Sequence, residues 1–315
     1  MVTIEDVRSA AQRIRPHVVR TPLLAARWGD DARPLWIKPE NLQPIGAFKV
    51  RGAFNAVGAV RDTATDVVAY SSGNHAQAVA YAAAVFGLRA HIVMPEETPE
   101  VKVAATLDLG ARVVLSAAGQ REIVAQQVLA DTGGAMIPPF DHPDVIAGQG
   151  TIGLEIAEDL PSVRNVLIPV SGGGLASGIG TALRALCPAA NIYGVEPELA
   201  ADATQSLREG QRVDWSIEAR NRTIADGLRS QPSELTFTHL RTVLDGMITV
   251  SEAEIRSAVR ELVYRARLVS EPSGAVALAA YRQGGTPPGD TVLILSGGNI
   301  APRMLREILA EGEST

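Results

Sequence analysis

Short apolar runs alternate with longer helical segments along most of the chain. Six runs of strand length lack a strict alternation of polar and apolar positions, and they lie at residues 67–70, 90–94, 112–115, 166–170, 192–195 and 291–295. This pattern is typical of strands that are covered on both faces, as in parallel sheets. Helical segments lie between them, for example at residues 76–86, 101–109 and 252–268. The repeated order of strand and helix predicts an α/β protein with parallel sheets and right-handed crossovers.

Local signals mark two helix starts and one boundary. Thr3 with Asp6, and Ser251 with Glu254, have the spacing of capping boxes. Residues 137–143 contain three prolines and interrupt the alternation of strands and helices. We interpret this segment as the place where the chain passes between two lobes.

Composition limits the class of partner. With 46% hydrophobic and 20% charged residues the chain can bury a large core, and its length of 315 residues suggests one large or two moderate domains. Lys and Arg total 29 and Asp and Glu total 35, so the net charge is −6. Nucleic acids and anionic membranes require a basic surface, so we expect neither as a partner and favour a small molecule.

The chain carries no sequence signal for secretion or membrane insertion. Cys187 is the single cysteine, which excludes an internal disulfide and fits a reducing compartment. No apolar run approaches the roughly 18 residues of a membrane-spanning helix. The first residues, MVTIED, lack the charged leader and apolar stretch of a signal peptide. We therefore expect a soluble, cytoplasmic protein.

The first turn that could carry chemistry follows the predicted strand at residues 67–70. It combines Ser71, Ser72, Asn74 and His75 at the start of a predicted helix. The carboxyl ends of strands are where open α/β sheets bind ligands, and the free N–H groups of a helix N-terminus attract anions such as a carboxylate. Ser and Asn are also common helix caps, so an ordinary helix start is the alternative.

The second turn, residues 171–178, is rich in glycine. Gly172, Gly173 and Gly174 are consecutive, so several backbone N–H groups can converge on one phosphate at the N-terminus of the following helix. The third glycine of a dinucleotide fingerprint would fall on Ser177, and the ending of a P-loop is missing. The turn therefore predicts a site for a lone phosphate monoester, with a flexible connection as the alternative.

A lysine and a serine complete the candidate chemistry. Lys49 has apolar neighbours on both sides, which predicts partial desolvation, a lower amine pKa and a better nucleophile toward a carbonyl. The alternative is a surface lysine beside Arg51. Ser296 stands at the tip of the last predicted strand, where its hydroxyl is free to bind a ligand atom.

Six segments, taken in this order, resemble a single family. They are KPENLQPIGAFKVRGA (38–53), SSGNHAQ (71–77), FDHPDVIAGQGT (140–151), PVSGGGL (169–175), EPSGA (271–275) and SGGN (296–299). Over nearly its whole length the chain resembles the fold-type II pyridoxal-phosphate enzymes, in the branch of serine/threonine dehydratases and serine racemases.

This resemblance implies the tryptophan synthase β-like fold. That fold has two lobes, each with a mainly parallel twisted sheet flanked by helices. The implied division is a large cofactor-binding lobe of residues 1–62 and 141–315 and a small mobile lobe of residues 63–140.

The resemblance also implies the cofactor pyridoxal 5′-phosphate and its contacts. Lys49 would hold the cofactor covalently and later move the substrate α-proton, with Phe48 packed near the cofactor ring. Asn74 would hydrogen-bond the 3′-oxygen, and Ser296 would face the pyridine nitrogen. The residues around the phosphate would be Gly172, Gly173, Gly174 and Leu175. The residues around the substrate carboxylate would be Ser71, Ser72, Gly73 and His75.

The implied activity is the dehydration and deamination of L-threonine or L-serine to a 2-oxo acid and ammonia. Ser296 cannot hold a proton on the ring nitrogen by ion pairing, as an aspartate would, which favours loss of a β-leaving group over transamination. Ser72 matches the serine that serves racemases of this branch as acid or base on the opposite face of the substrate, so serine racemisation stays open. A dehydratase of 3-hydroxyaspartate or of another 3-hydroxyamino acid stays open too, and so does a non-catalytic amino-acid-binding protein.

Two further properties are implied by the resemblance. Glu196, the carbonyl of Ala200 and Asp202 have the spacing of the divalent-cation site of serine racemases, and two carboxylates with a carbonyl suit Mg²⁺ or Ca²⁺. The alternative is a strand end followed by a capped helix. Relatives also suggest a homo-oligomer, either a dimer or a tetramer.

Overall fold

The computed structural model describes residues 1–311, and within them the strands form two sheets. The strands are Leu24–Asp30 (β1), Arg33–Pro39 (β2), Asp66–Tyr70 (β3), Arg89–Pro95 (β4), Arg112–Ser116 (β5), Ala135–Met136 (β6), Asn165–Pro169 (β7), Asn191–Pro197 (β8), Gly246–Val250 (β9) and Thr291–Leu295 (β10). The larger sheet has the order β1-β2-β10-β7-β8-β9, and the smaller has the order β5-β4-β3-β6. Only the pair β1 and β2 is antiparallel among these neighbours.

Helices cover the faces of both sheets. They are Ile4–Ile14 (α1), Lys49–Val60 (α2), Asn74–Phe86 (α3), Glu100–Asp108 (α4), Arg121–Thr132 (α5), Pro143–Asp159 (α6), Gly174–Leu186 (α7), Asp202–Glu209 (α8), Ile217–Arg220 (α9), Glu234–Val243 (α10), Glu252–Glu261 (α11), Pro272–Gln283 (α12) and Pro302–Ala310 (α13). Single 3₁₀ turns lie at Glu40–Leu42, Glu198–Ala200 and Asp226–Leu228. The predicted α/β class with two mainly parallel sheets is confirmed. No helix in residues 1–311 is long and apolar enough to span a membrane.

Burial explains why the strand signal in the sequence was continuous rather than alternating. Every residue of β7 and β10 is buried, and so are four of the five residues of β3. These strands lie inside their sheets and have helices on both faces. All six predicted strands are present, with ends that differ from the prediction by at most two residues.

Four strands were not predicted from the sequence, and each omission has a physical reason. β1 and β2 form the antiparallel hairpin at one edge of the larger sheet, and both contain charged residues. In β2 the charge of Lys38 is fully buried, which no hydrophobic pattern reveals. β6 has only two residues, and β9 is an edge strand whose first four residues are only partly buried.

The helix predicted at residues 252–268 is α-helical only as far as residue 261, and its last two residues are not helical. α11 ends at Glu261, the chain continues as one π-helical turn over Leu262–Ala266, and Arg267 has a left-handed backbone with φ of 60°. Both predicted capping boxes are confirmed. Thr3 caps α1 and Ser251 caps α11, each accepting a hydrogen bond from the backbone of the third helical residue.

The strands of the smaller sheet all lie between residues 66 and 136. The exact lobe boundaries and the mobility of the small lobe remain predictions. Residues 312–315, which the predicted large lobe includes, lie outside the described residues. Between the sheets, the carboxyl ends of β3, β7 and β10 open onto one cavity, and this arrangement positions the candidate site.

Candidate active site

One cavity of about 430 Å³ contains every residue predicted to bind the cofactor or the substrate. The turn after β3 contributes Ser71 to His75, the glycine turn after β7 contributes Gly172 to Leu175, and the end of β10 contributes Ser296. Phe48 and Lys49 line the same cavity from the start of α2. Residues that are up to 248 positions apart in the chain therefore share one site, because the carboxyl ends of parallel strands meet there.

Lys49 is the first residue of α2, and its amine lies in a desolvated position. The Nζ atom donates a hydrogen bond to the carbonyl of Pro139 at 2.7 Å and stands 5.1 Å from the centre of the Phe48 ring. Burial of the amine lowers the pKa of Lys49 to about 8. A lysine with this pKa has a much larger neutral, nucleophilic fraction at pH 7 than an ordinary lysine has.

The glycine turn forms a cradle at the N-terminus of α7. Gly173 has a left-handed backbone with φ of 88°, which side chains rarely tolerate. A Cβ atom on Gly172 would lie 2.2 Å from the ring of Phe140, so only glycine fits there. In the part of the chain that the structure describes, no side chain caps α7, and its first N–H groups are left for a ligand. This geometry suits the phosphate of a monoester.

The turn after β3 is a second cradle that lines the same cavity. α3 begins at Asn74 without a side-chain cap from any described residue, and the N–H of Gly73 donates to the hydroxyl of Ser71 at 3.3 Å. A Cβ atom on Gly73 would meet nothing within 4 Å among the described residues, so the turn faces open space. Backbone N–H groups and the Ser71 and Ser72 hydroxyls are therefore the donors that this turn offers to an anion.

The imidazole of His75 donates its hydrogen bond to a backbone carbonyl. Its Nε2 atom lies 2.8 Å from the carbonyl of Ile137, so Nε2 carries the proton. Burial and the nearby charge of Lys49 lower the pKa of His75 to about 3, which leaves a neutral ring with a single N–H. Its Nδ1 atom has no hydrogen-bond partner among residues 1–311. His75 lies where the resemblance placed it, but its ring has no proton left to donate to a carboxylate.

Two partners of Asn74 were missed by the sequence analysis. Its Nδ2 atom donates to Glu271 at 2.8 Å, and its Oδ1 atom accepts from Asn299 at 2.8 Å. These bonds fix which atom of the Asn74 amide is the donor, and they leave its second N–H for the cavity. Burial, with the charge of Asp226, raises the pKa of Glu271 to about 7. Glu271 and Asn299 belong to two of the six family segments, but their proximity to Asn74 depends on the fold.

Two cations on the helices beside the smaller sheet were also missed. Arg121 lines the cavity with its guanidinium 5.9 Å from the centre of the Tyr70 ring. Lys102 pairs with Asp226 at 2.9 Å, and both residues line the cavity. Neither cation belongs to a motif that the sequence singles out, since both lie on helices where charged residues are common.

The predicted cation ligands lie outside this cavity, at the end of β8. The carboxylate of Glu196 accepts hydrogen bonds from the N–H groups of Ala203 and Thr204 and from the Thr204 hydroxyl. Both carboxylate oxygens of Asp202 are buried and have no hydrogen-bond partner in residues 1–311. Burial raises the pKa of Asp202 to about 7, and burial with the charge of Asp202 raises the pKa of Glu196 to about 8. The described residues hold no group of three or more His, Cys, Asp or Glu side chains suited to a metal.

A family model described as pyridoxal-phosphate dependent enzyme matches residues 14–297. The chain belongs to this family of pyridoxal-phosphate-dependent enzymes. The cavity of this family member fits the cofactor, because it combines a desolvated lysine with an uncapped glycine turn.

Relatives within the family support the assignment over the full length. The chain is 42% identical to the L-threo-3-hydroxyaspartate ammonia-lyase of Saccharomyces cerevisiae, covering 95% of this chain and 93% of that protein. It is 39% identical to the L-threonine ammonia-lyase of Thermotoga maritima, covering 99% of this chain and 79% of that protein. Among solved structures, maize serine racemase is 36% identical and has a TM-score of 0.93, with coverage of 98% of this chain and 97% of that chain.

The pKa of Lys49 makes a prediction about cofactor uptake. The rate at which cofactor-free protein takes up pyridoxal phosphate should rise about tenfold per pH unit below pH 8 and become constant above it, because only the neutral amine attacks the carbonyl. Stopped-flow absorbance would measure this rate. A rate that kept rising to about pH 10.4, the pKa of an ordinary lysine, would contradict a desolvated amine.

Proposed function

We propose that this enzyme eliminates water and then ammonia from small β-hydroxy amino acids, such as L-threonine and L-serine, to give 2-oxo acids. The observation that carries the proposal is the placement of the Lys49 amine in one cavity with two anion-binding turns. One turn suits the cofactor phosphate and the other suits a substrate carboxylate.

The chain's own residues have distinct tasks in this reaction. Pyridoxal phosphate, when bound, supplies the electron sink that makes the α-proton of an amino acid acidic. Lys49 would bind it covalently through its amine, and the free amine would take the α-proton of the substrate. The Pro139 carbonyl holds the Lys49 amine in place. Gly172 to Gly174 and Leu175 hold the phosphate, and Phe48 packs beside the cofactor ring.

The remaining residues orient the two reactants. Asn74, itself oriented by Glu271 and Asn299, presents one N–H to the 3′-oxygen of the cofactor. Ser296 places a hydroxyl, and not a carboxylate, at the pyridine nitrogen. A hydroxyl at that position would not hold a proton on the nitrogen by ion pairing, which favours loss of the β-hydroxyl over transamination. The hydroxyls of Ser71 and Ser72 and the backbone N–H groups from Gly73 onward hold the substrate carboxylate. His75 completes that wall as a neutral ring.

Serine racemisation is a second activity that Ser72 supports. Its hydroxyl belongs to the turn after β3, which lines the cavity together with the glycine cradle. A hydroxyl on the substrate face opposite Lys49 can return the α-proton from that side, which inverts the configuration. The high structural similarity to maize serine racemase supports this second activity.

A third candidate substrate is 3-hydroxyaspartate, and Arg121 is the observation that favours it. The second carboxylate of this substrate needs a cation beside the side-chain end of the cavity. Arg121 lines the cavity without a close carboxylate partner among residues 1–311, since its nearest, Glu122, lies at 3.9 Å. The similarity to the yeast L-threo-3-hydroxyaspartate ammonia-lyase supports this candidate as well.

We further propose that Glu196, the Ala200 carbonyl and Asp202 bind Mg²⁺ or Ca²⁺. Two buried carboxylates close enough for the charge of one to raise the pKa of the other favour a cation, and the unpartnered oxygens of Asp202 supply free ligand positions. Oxygen donors of this kind suit a hard cation completed by water. From the resemblance we also propose that the protein forms a homodimer or homotetramer and that it is located in the cytoplasm. We propose in addition that residues 63–140 form a small mobile lobe.

Replacing the lysine tests the proposed reaction. Lys49→Ala should reduce the release of 2-oxobutyrate from L-threonine and of pyruvate from L-serine by at least about a thousandfold, because the base and the cofactor attachment are both lost. Far-ultraviolet circular dichroism should remain that of the wild type. Turnover within tenfold of the wild type would contradict the assignment of Lys49.

Ser72→Ala separates the two activities. Formation of D-serine from L-serine should fall at least about tenfold more than formation of pyruvate, because only racemisation needs a proton donor on the second face. Chiral chromatography and a coupled pyruvate assay measure the two products from one sample. An equal loss of both products would count against the two-face arrangement.

Arg121→Leu distinguishes the substrate candidates. If 3-hydroxyaspartate is the substrate, kcat/KM for oxaloacetate formation should fall at least about tenfold, while kcat/KM for L-threonine stays within about threefold, since only the dicarboxylate loses a charge-assisted hydrogen bond. Arg112→Leu is a matched control, because Arg112 is an exposed arginine at the first position of β5 and does not line the cavity. No oxaloacetate from the wild type, or equal effects of Arg121→Leu on both substrates, would remove this candidate.

Chelation tests the cation site. Treatment with EDTA should lower the Tm, and excess Mg²⁺ or Ca²⁺ should restore it, because a ligand that binds only the folded state stabilises that state. Asp202→Asn should make the Tm insensitive to EDTA. A wild-type Tm that does not respond to EDTA or to added cation would exclude the proposed site.

A further inference from the structure

A buried ionic cluster lies behind the start of α2, on the side away from the cavity. We define it by Lys38 on β2, Glu40 in the following turn, Arg51 on α2 and Glu155 on α6. The side chains of Lys38, Glu40 and Arg51 are fully buried, and that of Glu155 is 13% exposed. Two cations and two carboxylates balance in charge. The Lys49 amine lies outside the cluster.

Arg51 uses its whole guanidinium group in this cluster. Its Nε and Nη2 atoms donate to the two oxygens of Glu40 at 2.7 and 2.8 Å. Its Nη1 and Nη2 atoms donate to the two oxygens of Glu155 at 2.7 and 2.9 Å, and Nη1 also donates to the Thr151 hydroxyl at 3.0 Å. Two bidentate pairs on one planar group fix both its position and its orientation.

Fold stability alone is a weak explanation for such a cluster. Transferring four charges from water to the interior carries a large desolvation cost, and apolar replacements of buried ion pairs are often neutral or stabilising. Burial alone would raise the pKa of Glu40, but Arg51 reverses this effect and holds the pKa below its usual value. What the ion pairs provide beyond apolar packing is direction, because hydrogen bonds to a guanidinium depend on angle and hydrophobic contacts do not.

The direction matters because Arg51 follows Lys49 by two residues in the same helix. Two residues correspond to a rotation of about 200° around the helix axis, so the two side chains leave on nearly opposite sides. Lys49 lines the cavity, whereas Arg51 enters the cluster. Phe48, the N-cap residue of α2, makes no side-chain cap bond with any described residue, and its N–H donates to the Ser296 carbonyl at 3.0 Å.

Apart from the cluster, two single hydrogen bonds join α2 to α6. The N–H of Gly52 donates to Oε1 of Gln149 at 3.2 Å, and Nδ2 of Asn55 donates to the Asp144 carbonyl at 2.7 Å. α2 packs against α6 through glycines, since a Cβ atom on Gly52 would lie 2.9 Å from the Val145 carbonyl and one on Gly148 would lie 2.6 Å from the Arg51 carbonyl. Glycine contacts allow a close approach but set the axial position weakly, so that position depends on the hydrogen bonds, and the two bidentate pairs of Arg51 are the most directional of these. Glu155 belongs to α6, which follows the segment that supplies the Pro139 carbonyl to Lys49. The cluster thus ties the helix of Lys49 to the helix that follows its hydrogen-bond acceptor.

We propose that Arg51 is a positioning residue, which sets the place of the Lys49 amine in the cavity by fixing the rotation and axial position of α2 through Glu40 and Glu155. The inference rests on the proposed role of Lys49 in binding the cofactor and moving the α-proton. A misplacement of the amine by a fraction of an ångström reduces the rate of proton transfer more than it reduces substrate binding.

The test compares Arg51→Lys with Lys38→Met in the cofactor-loaded enzyme. Arg51→Lys keeps the charge and loses the two bidentate pairs. We expect kcat to fall at least about tenfold with KM within about threefold, and the visible circular dichroism of the bound cofactor to fall by about half or more while its absorbance remains. Lys38→Met is the matched control, because Lys38 contacts the same Glu155 at 2.6 Å but lies on β2. It should lower the Tm while kcat and the cofactor dichroism stay within about twofold of the wild type.

The outcomes distinguish a positioning role from a purely structural one. If both variants lower the Tm but both keep kcat and dichroism near the wild type, or if both lose them equally, the cluster only stabilises the fold and the proposal is wrong. If Arg51→Lys does not fold, Glu155→Gln replaces it, because glutamine has nearly the same shape as glutamate and weakens one of the two bidentate pairs of Arg51. An unchanged dichroism and kcat in Glu155→Gln would also overturn the proposal. The dichroism needs no substrate, so it remains informative even if the wild type does not turn over hydroxyamino acids.

Discussion

The desolvation of one amine is the constraint on which the site depends. An ammonium group loses hydration when it is buried, and for Lys49 a lower pKa results, because no carboxylate in residues 1–311 forms an ion pair with it. Several elements maintain that environment. α2 carries the lysine, the Pro139 carbonyl accepts its hydrogen bond, and the neutral ring of His75 adds no charge beside it.

Buried carboxylates of two kinds occur in this protein. Those that are paired with buried cations hold the fold in place, and those without such a partner lie where we propose ligands. In the cluster around Arg51, cations and carboxylates satisfy one another, and the pKa of Glu40 is held below its usual value. At Asp202, Glu196 and Glu271 burial raises the pKa of the carboxyl group, because no cation in residues 1–311 forms an ion pair with it. The charges of Arg220 near Asp202 and of Lys102 near Glu271 offset the effect of burial only in part. The unbalanced groups lie at the cavity and at the end of β8, where we propose ligands. The same physical rule thus relates the cofactor cavity, the proposed cation site and the anchoring of α2.

The sequence predicted the parts of the protein that are encoded locally. Buried strands appear as apolar runs. The glycine turn and the Ser71 to His75 turn are each one unbroken stretch of sequence that follows such a run, so the position of each turn at a strand end could be inferred. The partner of a buried charge could not be inferred, because Arg51 and Glu155 are separated by 104 positions. The resemblance named His75, but only the fold shows that its single N–H donates a hydrogen bond to the Ile137 carbonyl. The π-helical turn after Glu261 likewise has no sequence signal, since its residues continue a helical pattern.

The central claim is that Lys49 carries the cofactor, and its most direct test is the absorption spectrum of the purified protein before and after borohydride reduction. The account predicts a visible band that reduction bleaches, with the reduced cofactor found by peptide mass spectrometry on Lys49. A protein that stays colourless after pyridoxal phosphate is added, or a label on another lysine such as Lys102, would contradict it.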